Sequence, residues 1–146
     1  MTRIILYSAD LSSELPLQFA ATGVRAGFPS PAQDYIHDSI DLNKELVSHP
    51  ATTFYARCAG DSMKDCGIDD GDLLIIDKSL EPKEDDIVVA FIDGDFTLKR
   101  IHIDESGNCL WLMPANDEYP PIKVIPEDQF MVWGVVTYNI KPQHRH

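Results

Sequence analysis

The chain has 146 residues, 44% of them hydrophobic, and carries 24 Asp and Glu against 12 Lys and Arg, a formal net charge of -12. That length provides for one domain with one real core, and that composition excludes intrinsic disorder. So acidic a surface repels phosphate backbones, which argues against direct DNA binding; it leaves plain solubility or a basic protein partner as readings of the charge.

Cys58, Cys66 and Cys109 form no Cys-x-x-Cys pair. Neither a disulfide framework nor a zinc site is expected, and no metal or cofactor is called for. A reducing cytoplasm fits such a chain. The apolar run Ile4-Ile5-Leu6 is too short for a signal peptide. No run approaches the ~20 apolar residues of a membrane helix. The expectation is a soluble cytoplasmic protein that engages no membrane.

Residues 1–26 read as a removable arm, with apolar residues but no strong period, and Pro16 bars a helix there. Gly23-Val24-Arg25-Ala26-Gly27-Phe28-Pro29-Ser30-Pro31 holds two glycines and two prolines, so it is extended. It is either a linker or a cleavable peptide, since small residues such as Ala26 and Gly27 let a catalytic serine approach the bond between them. Residues 27–50 read as linker and short helices. Ser30, Pro31 and Gln33 form a capping box that opens a helix with Tyr35, Ile36 and Ile40 inward. A further turn around Leu42, Leu46 and Val47 stops before Pro50. His37 and His49 are expected on the surface.

Residues 51–140 turn to strands. Thr52 to Cys58 is rich in β-branched and aromatic residues and leads into Gly60-Asp61-Ser62-Met63. Asp69-Asp70-Gly71-Asp72 is a turn, and Leu73 to Ile76 a buried strand. Ile87 to Ile92 and Phe96 to Ile103 flank Asp93-Gly94, the strongest hairpin signal in the chain. Cys109 to Met113, Ile122 to Ile125 and Phe130 to Tyr138 complete seven short strands, which predicts a mainly β, compact antiparallel domain. The tail 141–146, with His144 and His146, is expected to fray.

A two-residue turn at Asp93-Gly94 sets Ile92 against Asp95, Ala90 against Thr97 and Val88 against Lys99. Lys99 then shares a face with Thr97, Ile101 and Ile103. Such a lysine either snorkels, with a wet ammonium, or serves as a base. At the reference pKa of ~10.4 only about 1 amine in ~2,500 is neutral at pH 7, and burial lowers a lysine pKa by up to ~3–5 units. A neutral Lys99 would take the proton of Ser62, the serine–lysine variant of triad logic.

Together these stretches resemble the LexA/UmuD family of self-cleaving serine–lysine peptidases. The matching segments are Ala26 to Pro31, Gly60 to Met63 with Gly67-Ile68, Asp70 to Ile75, Asp93-Gly94 with Phe96 to Lys99, and Gly134-Val135-Val136. The resemblance implies a compact antiparallel β peptidase domain with a flexible N-terminal arm. It implies Ser62 as nucleophile, Lys99 as base, an oxyanion hole from the backbone N–H groups of Asp61 and Ser62, and cleavage between Ala26 and Gly27 with Val24 in a small pocket. It further implies a homodimer and stimulation by a RecA–single-stranded DNA filament. The shortened form would join a UmuC-type subunit as the error-prone translesion DNA polymerase V of the SOS response. The bond here is Ala-Gly, as in LexA-type repressors, where the UmuD pattern has Cys-Gly. A LexA-type repressor would need a helix-turn-helix, for which the 26 residues ahead of the bond are too few. A non-catalytic dimerisation module is the remaining alternative.

Overall fold

Among the described residues, runs rich in β-branched and aromatic side chains form most of the strands. The computed structural model describes residues 3–20, 36–60, 63–114, 120–125, 127 and 131–144. In chain order these hold β1 Arg3–Ser8, β2 Pro16–Ala20, β3 Ile36–Asp41, α1 Leu42–Leu46, β4 Thr53–Ala59, β5 Leu73–Asp77, β6 Ile87–Ile92, β7 Asp95–Asp104, β8 Cys109–Met113, β9 Ile122–Val124 and β10 Val132–Ile140. The chain divides into two units, residues 1–9 with 51–146, and residues 10–50.

The larger unit is an eight-stranded sheet of order β1-β4-β5-β10-β6-β7-β8-β9, antiparallel throughout. The mainly β expectation holds. Asp93 and Gly94 carry φ of 51° and 82°, the two positive values that a tight hairpin turn needs. The register that follows is the expected one, with Ile92 opposite Asp95, Ala90 opposite Thr97 and Val88 opposite Lys99.

Side chains on these central strands alternate between two cores. Val89 and Leu98 join Ala56, Cys58, Met63, Ile68, Leu74 and Ile76 in one cluster. Val88, Ala90 and Ile101 join Leu112, Val124 and Val135 in the other. The sheet is thus covered on both faces at β6 and β7. Burying each such aliphatic contributes about 1.5–3 kcal/mol.

Two expectations need correction. The first residues are not without a period: Ile4 and Leu6 pack against the first cluster, while Ile5 and Tyr7 are 54% and 50% exposed. That alternation makes β1, paired along its whole length with β4 from Arg3 opposite Ala59 to Ser8 opposite Phe54. The helix expected to follow Ser30 is also absent where it can be seen. Ile36–Asp41 is a strand, paired with β2. Asp and Ser compete with helical hydrogen bonding, and β2 offers the backbone of this segment a partner. Helix starts only at Leu42, where the Asp41 carboxylate caps Asn43 N at 3.0 Å. The capping box at Ser30 lies outside the described residues. Among those residues no helix is long and apolar enough to cross a membrane.

β10 shifts register between Val132 and Gly134. A Cβ at Gly134 would come within 2.7 Å of Ile76 Cγ2, and Ile76 is wholly buried. Gly134→Ala should therefore destabilise the fold by about 1–3 kcal/mol through overpacking. Urea unfolding should show a lower midpoint with an unchanged slope.

Candidate active site

Of the residues singled out by the sequence, Val24, Ala26, Gly27, Asp61 and Ser62 lie outside the described residues. Lys99 is placed, and so are the segments that flank Asp61 and Ser62. β4 leads to Gly60, whose φ of 105° suits glycine. Its N–H donates to Asp70 Oδ1 at 2.8 Å. On the far side, Met63 is 2% exposed in the first core cluster. A 3-10 turn, Lys64–Cys66, follows, closed by Gly67 N–H to Lys64 O at 3.0 Å with Gly67 at φ 83°. Ile68, buried in the same cluster, anchors the end of that turn.

The loop returns to β5 through Asp69-Asp70-Gly71-Asp72. Gly71 N–H donates to Cys58 O at 2.8 Å and Cys58 N–H to Asp72 O at 2.9 Å. The Asp72 side chain is buried. Its Oδ2 accepts from Asp69 N at 2.9 Å, Asn139 Nδ2 at 3.0 Å and Lys141 Nζ at 2.7 Å. Asn139 Nδ2 also donates to Gly67 O at 3.0 Å, and Lys141 Nζ to Asp69 Oδ2 at 2.7 Å. The end of β10 is thereby tied to both halves of the loop. Sequence reasoning missed this. It read Asp72 as a turn residue and Lys141 as frayed tail, and nothing local marks a pairing across 69 positions.

Desolvation pushes the Asp72 carboxyl up, but the Lys141, Asp69 and Asn139 donors outweigh it and hold it below its ordinary value. Hydrogen bonds to Asp69 and Asp72 push Lys141 up. Burial first, then the carboxylates of Asp72, Asp70 and Asp69, push the Cys58 thiol up. Cys58, 1% exposed, thus stays a protonated core residue rather than a rival nucleophile beside the loop.

Lys99 sits mid-strand in β7, half-buried. By alternation it takes the face of Thr97 and Ile101, opposite Val88, all three buried. The Lys99 side chain makes no hydrogen bond or ion pair with another described residue. Its neighbour Leu98 and Met63, the neighbour of Ser62, belong to one buried cluster. The two segments that carry the candidate nucleophile and base are therefore tied into one body.

The Asp72–Lys141 pair yields a test by pH. The lowered Asp72 value means that its contribution is present above the ordinary 3.8 and lost as pH falls through the folded value. The raised Lys141 value means that its contribution is present below 10.5 and lost as pH rises through the folded value. Lys141→Met should lower the urea midpoint at pH 7. The gap from the parent chain should close in acid below that carboxylate range.

Residues 19–137 match the Peptidase S24-like family. The chain is 45% identical to Protein SamA of Salmonella typhimurium over 77% of this chain and 76% of that one. It is 41% identical to Protein ImpA of Escherichia coli over 91% and 88%, and 38% identical to Protein MucA of Escherichia coli over 93% and 92%. Against the LexA repressor of Ectopseudomonas mendocina it is 40% identical over 75% of this chain but 52% of the repressor. The chain belongs to the Peptidase S24-like family, in its LexA/UmuD group.

Proposed function

We propose that this protein cleaves its own chain between Ala26 and Gly27. The Ser62 hydroxyl attacks the Ala26 carbonyl carbon while the Lys99 amine takes its proton. The developing oxyanion is held by the backbone N–H groups of Asp61 and Ser62, and Val24 fills a small pocket. The proton passes from Lys99 to the leaving nitrogen of Gly27, and water then hydrolyses the ester on Ser62. The observation that carries this reading is the family match, which spans bond, serine and lysine together at 19–137. The setting of Lys99 supports it: a half-buried amine on an otherwise buried strand face, with no acidic partner among the described residues.

Identity of 38–45% to SamA, ImpA and MucA supports a mutagenesis-type reading. On that reading the chain forms a homodimer in the cytoplasm. A RecA–single-stranded DNA filament stimulates the cut, and the shortened form joins a UmuC-type subunit as polymerase V in translesion synthesis. The net charge of -12 fits a protein that reaches DNA through partners.

Incubation at pH about 10, where an ordinary lysine amine begins to lose its proton, should release residues 1–26 without any activator. Mass spectrometry should find Gly27 as the new N-terminus. Ser62→Ala and Lys99→Ala should each slow release by about a thousandfold or more, with circular dichroism unchanged. Undiminished release from clean Ser62→Ala protein would mean that another nucleophile acts. Gly27→Trp should block the cut by crowding the bond, and normal processing of it would show that the bond lies elsewhere.

A further inference from the structure

The edge of the large sheet is built from the part of the chain that the proposed cut removes. β1 is the outermost strand, and β4 is the next one in. The two pair over six consecutive positions without a shift. Ile4 and Leu6 stand opposite Cys58 and Ala56. Those two small residues are fully buried in the first core cluster, against which Ile4 and Leu6 pack. Ile5 and Tyr7 stand opposite Arg57 and Tyr55 on the outer face.

The hydrogen bonding of β4 is divided between its two sides. Cys58 donates to Asp72 O and accepts from Gly71 N, so Cys58 and, by alternation, Ala56 direct their backbone groups to the β5 side. Tyr55, Arg57 and Ala59 direct theirs to β1. Loss of β1 would leave those N–H and C=O groups unpaired beside an uncovered apolar strip at Ala56 and Cys58. An unpaired edge of that kind is a template for another strand.

We infer that cleavage opens the β4 edge as a docking site for an extended segment of a partner protein, with bulky aliphatic residues at alternate positions. The inference rests on the proposed cut. The preferred occupant is legible in β1 itself: Ile4 and Leu6 fill the space over the small residues Cys58 and Ala56, while the intervening positions face solvent. Cleavage removes Arg3 and Arg25 together with Asp10 and Glu14, and so no net side-chain charge. The change is in exposed backbone and apolar surface rather than in the field of the protein.

The test begins with the alkaline-cleaved full chain, its cut verified by mass spectrometry. Where no cut occurs, the reading of Ala26–Gly27 fails, and thrombin acting at a site inserted between those residues supplies the break instead. Hydrogen exchange should then accelerate by at least about tenfold at the amides of Tyr55 and Arg57 but not at Ala56, which faces β5. A fluorescein-labelled peptide of residues 1–9 should bind the cut protein saturably and the uncut Ser62→Ala protein at least about tenfold more weakly. The same peptide carrying Ile4→Asp and Leu6→Asp should lose at least about tenfold in affinity for the cut protein. Unchanged protection at Tyr55 and Arg57 in the cut protein would overturn the inference, as would equal binding of the two peptides. Closure of the edge by a second copy would overturn it too, and would show as assembly beyond the proposed dimer, with the amides of Tyr55 and Arg57 regaining protection as the cut protein is concentrated.

Discussion

The pairing of β6 with β7 is the constraint on which the site depends. Because side chains alternate with a period of two, the turn at Asp93-Gly94 decides which face every residue of both strands occupies. With the observed register, Leu98 enters the cluster that holds Met63, while Ile101 enters the other. Lys99 takes the Ile101 face by the same alternation, opposite Val88. A slip of one residue would drive the Lys99 amine into the cluster around Met63 and Leu74, and an unpaired buried charge costs several kcal/mol. It would also strip Ile101 of its cover, at about 1.5–3 kcal/mol. The penalties act in the same direction, so the position of Lys99 is strongly specified before any chemistry is considered.

The other half of the site depends on a buried carboxylate. A buried ion pair is weak evidence for stability, since an apolar substitute often does as well. The Asp72 Oδ1 atom even lacks a hydrogen-bond partner among the described residues, an arrangement that costs about 1–3 kcal/mol. What Asp72 does supply is connection. One carboxylate oxygen joins the start of its own turn at Asp69, the side chain of Asn139 on β10 and the Lys141 ammonium beyond it. Asn139 then reaches the carbonyl of Gly67. The loop that carries the candidate nucleophile is thus referenced to β5 and β10, the same strands that form the middle of the sheet.

The hairpin register, the strands from Thr53 onward and the face of Lys99 were all legible in the amino-acid sequence. Each is written in short-range terms: a positive-φ dipeptide, runs of β-branched residues, motifs of three or four positions. The misses have a common character. Ile4 to Tyr7 shows an alternation too brief to stand out, and it becomes a strand only because β4 offers an edge. Ile36 to Asp41 follows a helix-start signal at Ser30, yet β2 captures it. Lys141 follows the last strand and looks like solvent-exposed tail until Asp72 is placed beside it.

The order of residues by itself determined the fold class, the face on which Lys99 lies and the family to which the chain belongs, because alternation, turn chemistry and local motifs are read within a few positions. Tertiary structure decided that the leading residues close the edge of the sheet and that Asp72, Asn139 and Lys141 brace the loop after Gly60. Those features come from strand pairing and charge pairing between segments tens of residues apart. No local pattern encodes such a partner, and only the folded chain brings it within hydrogen-bonding distance.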